Sequence, residues 1–164
     1  MALKDRIKED IKNALRAGDS SLKMTLGMVQ SAIKNRELDK RAKLSKSGTP
    51  QTELEQASQL TDEEVLEVIG SEIKKRKDSI EQFTQGGRPE LAKGEQDEIE
   101  MLNIYMPAQM PEEEVKKLIA SAVASTGAAG PKDMGKVMGA ISAKIKGKFD
   151  GTRASALVKE ALGV

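Results

Sequence analysis

The chain has neither cysteine nor histidine, so any chemistry falls to its lysines, arginines, carboxylates and hydroxyls. That removes thiolate nucleophiles, imidazole bases, disulfides and the usual zinc ligand sets together. A serine nucleophile would need a lysine base, and no recognisable frame for such a pair is present. Glu90, Glu95, Asp97, Glu98 and Glu100 lie close in sequence. Without metal-ligand spacing or an acid partner they read as a solvated helix face. Gly127-Ala128-Ala129-Gly130 lacks the Lys-Ser/Thr ending of a P-loop and the Rossmann glycine pattern, which disfavours nucleotide binding. No catalytic residue, metal ligand or cofactor site is assigned.

The cations remain. From Pro131 to Val164 there are seven Lys and Arg against three Asp and Glu, while residues 1–106 hold eighteen against twenty. Projected at 100° per residue, 131–146 reads as a helix whose core face is Met134, Val137, Met138, Ile141 and Ile145. The opposite face carries Lys132, Gly135, Lys136, Gly139, Ala143 and Lys146. Each interior glycine costs roughly 1 kcal/mol relative to alanine, so something must offset it. Close approach of another helix would do so, and so would a phosphate backbone flanked by ammonium groups. Lys144, Lys148 and Arg153 extend the basic character of this region. No aromatic residues interleave with these cations, so base stacking is disfavoured.

Arg76 is a second candidate, because it occupies the expected apolar position between Ile73 and Ile80. It snorkels outward, pairs with Glu72 one turn back, or is presented to an anionic partner. Lys34, Arg36, Lys40, Arg41 and Lys43 make the end of the second helix basic, and read as solvated cations complementing a helix C-terminus.

The positioning elements are helical throughout. A hydrophobic content of 38% with only 2% aromatics favours helices over a sheet sandwich, so the expected class is all-α. Leu3, Ile7, Ile11 and Leu15 mark a first helix ending near Gly18. Asp19 caps a second, with Leu22, Leu26, Val29, Ile33 and Leu38 inside. Residues 41–60 read as a mobile linker, with a short helical piece around Glu53 to Ser58. Thr61 and Glu64 form a capping-box signature, and the helix they open runs to Gly86-Gly87. Pro89 restarts the chain into 98–106, which is apolar all round and reads as an enclosed joint closed by Pro107. Three further helices follow, beginning at Pro111, Pro131 and after Gly151. The expected domains are 1–106, a helical domain of long helices, and 107–164, a small three-helix domain. No run approaches a membrane span, and Met1-Ala2-Leu3-Lys4-Asp5 lacks the apolar core of a signal peptide, so a cytoplasmic protein with no membrane partner is expected.

Five segments in this order and spacing carry a resemblance: Glu72-Ile73-Lys74-Lys75-Arg76, Gly87-Arg88-Pro89-Glu90-Leu91, Tyr105-Met106-Pro107, Asp133-Met134-Gly135-Lys136-Val137-Met138 and Lys146-Gly147-Lys148-Phe149-Asp150-Gly151. Through them the chain resembles the GatB/YqeY family over essentially its full length, and most closely its free-standing YqeY-like proteins. The resemblance implies an N-terminal helical domain. It also implies a C-terminal domain similar to the tRNA-holding tail of the B subunit of tRNA-dependent amidotransferase, a carbon–nitrogen ligase using glutamine as amide donor. By the same likeness, the catalytic cradle of that enzyme is missing here. The implied function is a non-catalytic tRNA-binding module, with Lys132, Lys136, Lys144, Lys146, Lys148 and Arg153 against phosphates and Arg76 and Arg88 as secondary contacts or structural pairs. The alternative is an adaptor that docks on an aminoacyl-tRNA synthetase or amidotransferase subunit through the Gly135/Gly139 face.

Overall fold

Three helix starts in this chain, at Asp19, Thr61 and Asp150, are capped by side chains that satisfy orphan backbone amides. A computed structural model describes residues 1–163. The first helix, α1 (Leu3–Ala17), ends at Gly18, whose φ of 73° is the left-handed conformation glycine adopts without strain. Asp19 then accepts from the Leu22 amide at 2.9 Å and opens α2 (Ser20–Lys46). A short α3 (Gln51–Ala57) follows. Thr61 and Glu64 form a full capping box at the start of α4 (Asp62–Gln85), and Pro89 opens α5 (Pro89–Asn103). The remaining helices are α6 (Glu112–Thr126), a 3-10 turn (Pro131–Asp133), α7 (Met134–Ile145) and α8 (Gly151–Ala161). Among the described residues there is no strand, so the class is all-α.

The chain divides after Tyr105 into two compact units. In the first, α1 pairs with α2 and α4 with α5, and α2 packs on both members of the second pair. Ile7, Leu26, Val29, Ile33, Val65, Ile69 and Leu102 fill its core. Residues 41–60 are not a mobile linker. Helix α2 runs on through Lys46, and Leu54 and Leu60 are buried. The polar composition misleads there because one apolar residue per turn is enough to fix a short segment, while its other sides face water.

Two other expectations are corrected. The joint at 98–106 is not enclosed all round: Ile99, Leu102 and Tyr105 are buried at three-residue spacing, but Ile104 is 66% exposed. Helix α5 ends at Asn103, so Ile104 leaves the buried stripe. Leu15 and Leu38, read as inward-facing, are exposed, and Ala14 takes the core position near the end of α1.

Two polar arrangements finish this unit. Arg76 is buried and joins α4 to α5: its guanidinium donates to Glu72 Oε2 at 3.1 Å, and an Nε–H···Oε2 bond of 2.9 Å reaches Glu98. Burial pushes the Glu72 carboxyl up, but hydrogen bonds from Lys75 and Arg76 outweigh it and hold the group below its ordinary value. The Tyr105 hydroxyl donates to Asp10 Oδ2 at 2.6 Å, with the Arg6 guanidinium 5.0 Å from the ring centroid.

The second unit is a three-helix cluster whose core is Val115, Ile119 and Ala122 from α6, Val137, Ile141 and Ile145 from α7, and Ala154, Leu157 and Val158 from α8. The entry strand of chain is stitched to the α7–α8 turn by the Met110 amide, which donates to the Lys148 carbonyl at 2.7 Å.

Candidate nucleic-acid interface

Helix α7 turns one face inward because its large apolar residues recur at three- and four-residue spacing. Val137, Ile141 and Ile145 are buried, and Met134 and Met138 pack partly against them. Gly135, Gly139 and Ala143 lie within about 80° of one another on the other side, each one turn apart, and all three are exposed. A Cβ added to Gly135 or Gly139 would meet no atom within 4 Å. The close approach that would offset these two helical glycines is therefore not made by any described residue of this chain.

The lysines border this face unequally. Lys132 lies in the 3-10 turn that leads into α7, and Lys136 one turn along. Lys136 donates to Asp133 Oδ1 at 2.8 Å, and Asp133 also accepts from the Ala129 amide at 3.1 Å. Those two bonds, the lysine first, lower the Asp133 carboxyl below its ordinary value. Lys144 flanks the face, about 80° round the helix from Lys136. Lys146 caps the C-terminus of α7, and Lys148 sits in the following turn; both are exposed. The side chains of Lys132, Lys144 and Lys148 have no ion-pair or hydrogen-bond partner among the described residues.

Three expected contacts behave as struts. Arg153 grips Glu112 in a two-pronged pair at 3.0 and 2.9 Å, tying α8 to α6, and lies 3.6 Å from Glu160. Arg153, with Lys116 behind it, holds the Glu112 carboxyl down to about 2. Arg76 is only 4% exposed and its charge is met by Glu72 and Glu98, so of its three expected roles the structural pair is the one displayed. Arg88 precedes α5 and donates to Glu90 at 2.7 Å on an exposed surface. Arg76 and Arg88 belong to the N-terminal unit, and the other candidates to the C-terminal one.

Sequence reasoning missed Glu98 as the partner of Arg76. It sits 22 residues away on another helix, a separation that carries no periodic signal. It also missed Asp10 as the partner of Tyr105, 95 residues distant.

A profile of the family described as Yqey-like protein matches residues 4–162. Curated relatives share the name "Altered inheritance of mitochondria protein 41, mitochondrial". The one from Pyrenophora tritici-repentis is 29% identical over 162 residues, covering 96% of this chain and 80% of its own length. That from Clavispora lusitaniae is 33% identical over 71% of this chain and 61% of its own length. That from Lachancea thermotolerans is 31% identical, and there this chain spans about half the relative, 48%. With the family profile running almost from end to end, the chain belongs to the Yqey-like protein family.

Proposed function

We propose that this protein is a non-catalytic tRNA-binding module that holds backbone phosphates on the outer face of α7. The observation that supports the reading is an open glycine face bordered by Lys132 and Lys144, whose ammonium groups pair with no carboxylate among the described residues. Glycines at 135 and 139 let a phosphodiester come close to the helix backbone. Lys132 and Lys144 supply charge-assisted hydrogen bonds at its margins. Lys146 and Lys148 continue the positive field beyond the helix end. Arg153, Arg76 and Arg88 are not phosphate ligands in this scheme, because each is occupied by carboxylates. With no aromatic platform, the contact is to shape and backbone, not to base identity.

The link to glutamine-dependent amide transfer rests on the resemblance of the C-terminal unit to the tail of the amidotransferase B subunit, and supplies the reason to choose tRNA over other RNA. The proposed setting is the cytoplasm. The relatives' names carry the word mitochondrial, which makes an organellar tRNA pool the alternative setting. No described helix is long and apolar enough to cross a membrane.

The test is a titration of labelled tRNA at several salt concentrations with the wild type and a Lys132→Ala, Lys144→Ala double variant. Affinity falls steeply with salt in the wild type, and each lost phosphate contact lowers the slope of log K against log salt by about 1. Absence of binding at low salt overturns the reading. Salt-insensitive capture of a synthetase or amidotransferase subunit on the same face would replace it with the adaptor function.

A further inference from the structure

The basic end of α2 divides into two groups. Arg36 donates to Glu67 at 2.7 Å and Lys40 to Glu64 at 2.8 Å, both on α4. The side chains of Lys34 and Arg41 have no hydrogen-bond or ion-pair partner among the described residues. Both line a cleft of about 250 Å³ bounded by the start of α1, by α2 and by the end of α3. Lys34, Leu38 and Arg41 stand at i, i+4 and i+7, so they share one face of α2, with the two cations about 10 Å apart along the axis at 1.5 Å per residue. Leu38, between them, is 53% exposed, and Arg41 is half-buried.

The cleft's own carboxylate on that wall does not quench these cations. Glu37 pairs with Lys4 at 2.5 Å and accepts from the Leu60 amide at 3.2 Å. Burial raises its carboxyl, but these two bonds outweigh that and leave it ionised and matched. On the facing wall the buried Ser58 hydroxyl donates to the Glu55 carbonyl at 3.2 Å, which leaves its oxygen lone pairs, and the exposed Glu55 carboxylate stands at the rim. A guanidinium held half out of water with its fork unfilled, beside an uncovered leucine and a second free ammonium, is arranged for an anion with an apolar body. The volume lies under the roughly 300–1,000 Å³ of pockets that engulf drug-sized ligands, so the ligand is small.

We propose that this cleft binds a small organic oxyanion, a phosphate monoester or carboxylate carrying a short alkyl group. Arg41 takes the oxyanion in a two-pronged pair, Lys34 adds a second positive charge, and Leu38 covers the alkyl body. The site lies in the N-terminal unit and is independent of the α7 face.

The experiment is an NMR titration of the full chain with monobutyl phosphate, butyrate and inorganic phosphate in parallel, following the Arg41 side-chain N–H and the Ser58 and Gln59 amides. A saturable shift with one of the two organic anions is expected, and which one responds identifies the head group. Arg41→Gln weakens it about tenfold or more, the loss of one charge-assisted pair. Lys43→Gln, which removes an exposed charge from the same helix outside the cleft, leaves it unchanged. No saturable shift with either organic anion overturns the proposal, as does equal weakening by the two variants. Inorganic phosphate binding as tightly as its butyl ester would overturn the role of Leu38.

Discussion

In the N-terminal unit the buried residues include Arg76, Glu72, Ser58 and Thr25, whereas every buried residue described from Met106 onward is apolar. The first unit thus uses charge internally, to fix α4 against α5 at one register. The second builds its core from nine aliphatic side chains and leaves its cations outside. Buried ion pairs contribute little net stability, because desolvation offsets their attraction, but removing one partner is costly. On its surface the Lys132, Lys144 and Lys148 side chains have no partner among the described residues. The difference separates an arginine that holds structure from lysines that can meet an anionic partner, although both stand out equally in the sequence.

The largest expected effect breaks the comparison on its apolar side. Ile141→Ala removes a side chain that is 1% exposed at the centre of the second unit, and should cost about 3–4 kcal/mol there. Urea unfolding followed by the methyl signals of Val137 and Leu157 measures that loss in the second unit. Arg76→Met tests the polar side. It leaves Glu72 buried with only the exposed Lys75 as partner and should destabilise the first unit by about 3 kcal/mol. Urea unfolding followed by Tyr105 emission reads that shift, while the methyl signals of Val137 and Ile141 stay folded.

Two smaller effects sharpen the contrast on the surface of the second unit. Gly139→Ala should raise its stability by about 0.5–1 kcal/mol, since the added methyl meets open space and the helix gains propensity. Thermal unfolding of that unit measures it. The same variant should weaken tRNA binding if a phosphate approaches the helix there. The smallest effect concerns acid. Glu112 has its folded value lowered to about 2, so its contribution is complete above the unfolded carboxylate value and is lost as pH falls through about 2. Because the pair with Arg153 is exposed, the gain is modest, and Glu112→Gln should only flatten the acid limb of the second unit's urea midpoint.

What was legible in the sequence followed local rules. Asp19, the Thr61–Glu64 capping box and Pro89 marked helix starts because capping acts over three residues. The α7 core face was readable because three- and four-residue spacing repeats within one helix. The segment 41–60 was not, because its order depends on Leu54 and Leu60 finding distant partners. Arg76 could be matched to Glu72 four residues away, but not to Glu98, whose proximity exists only after α4 and α5 pair. The lysine face was legible as a pattern. Which lysines are already spent was not, since Asp133 neutralises Lys136 through a bond that sequence spacing alone does not require.

The most direct test of the central claim maps where tRNA touches the chain. Backbone NMR of this 164-residue chain, titrated with tRNA at near-physiological salt, should broaden or shift the amides of Lys132, Gly135, Lys136 and Gly139 first, with those of residues 62–103 unaffected. Perturbation centred on α4 and α5, or none in α7, would contradict the assignment of the α7 face as the partner surface.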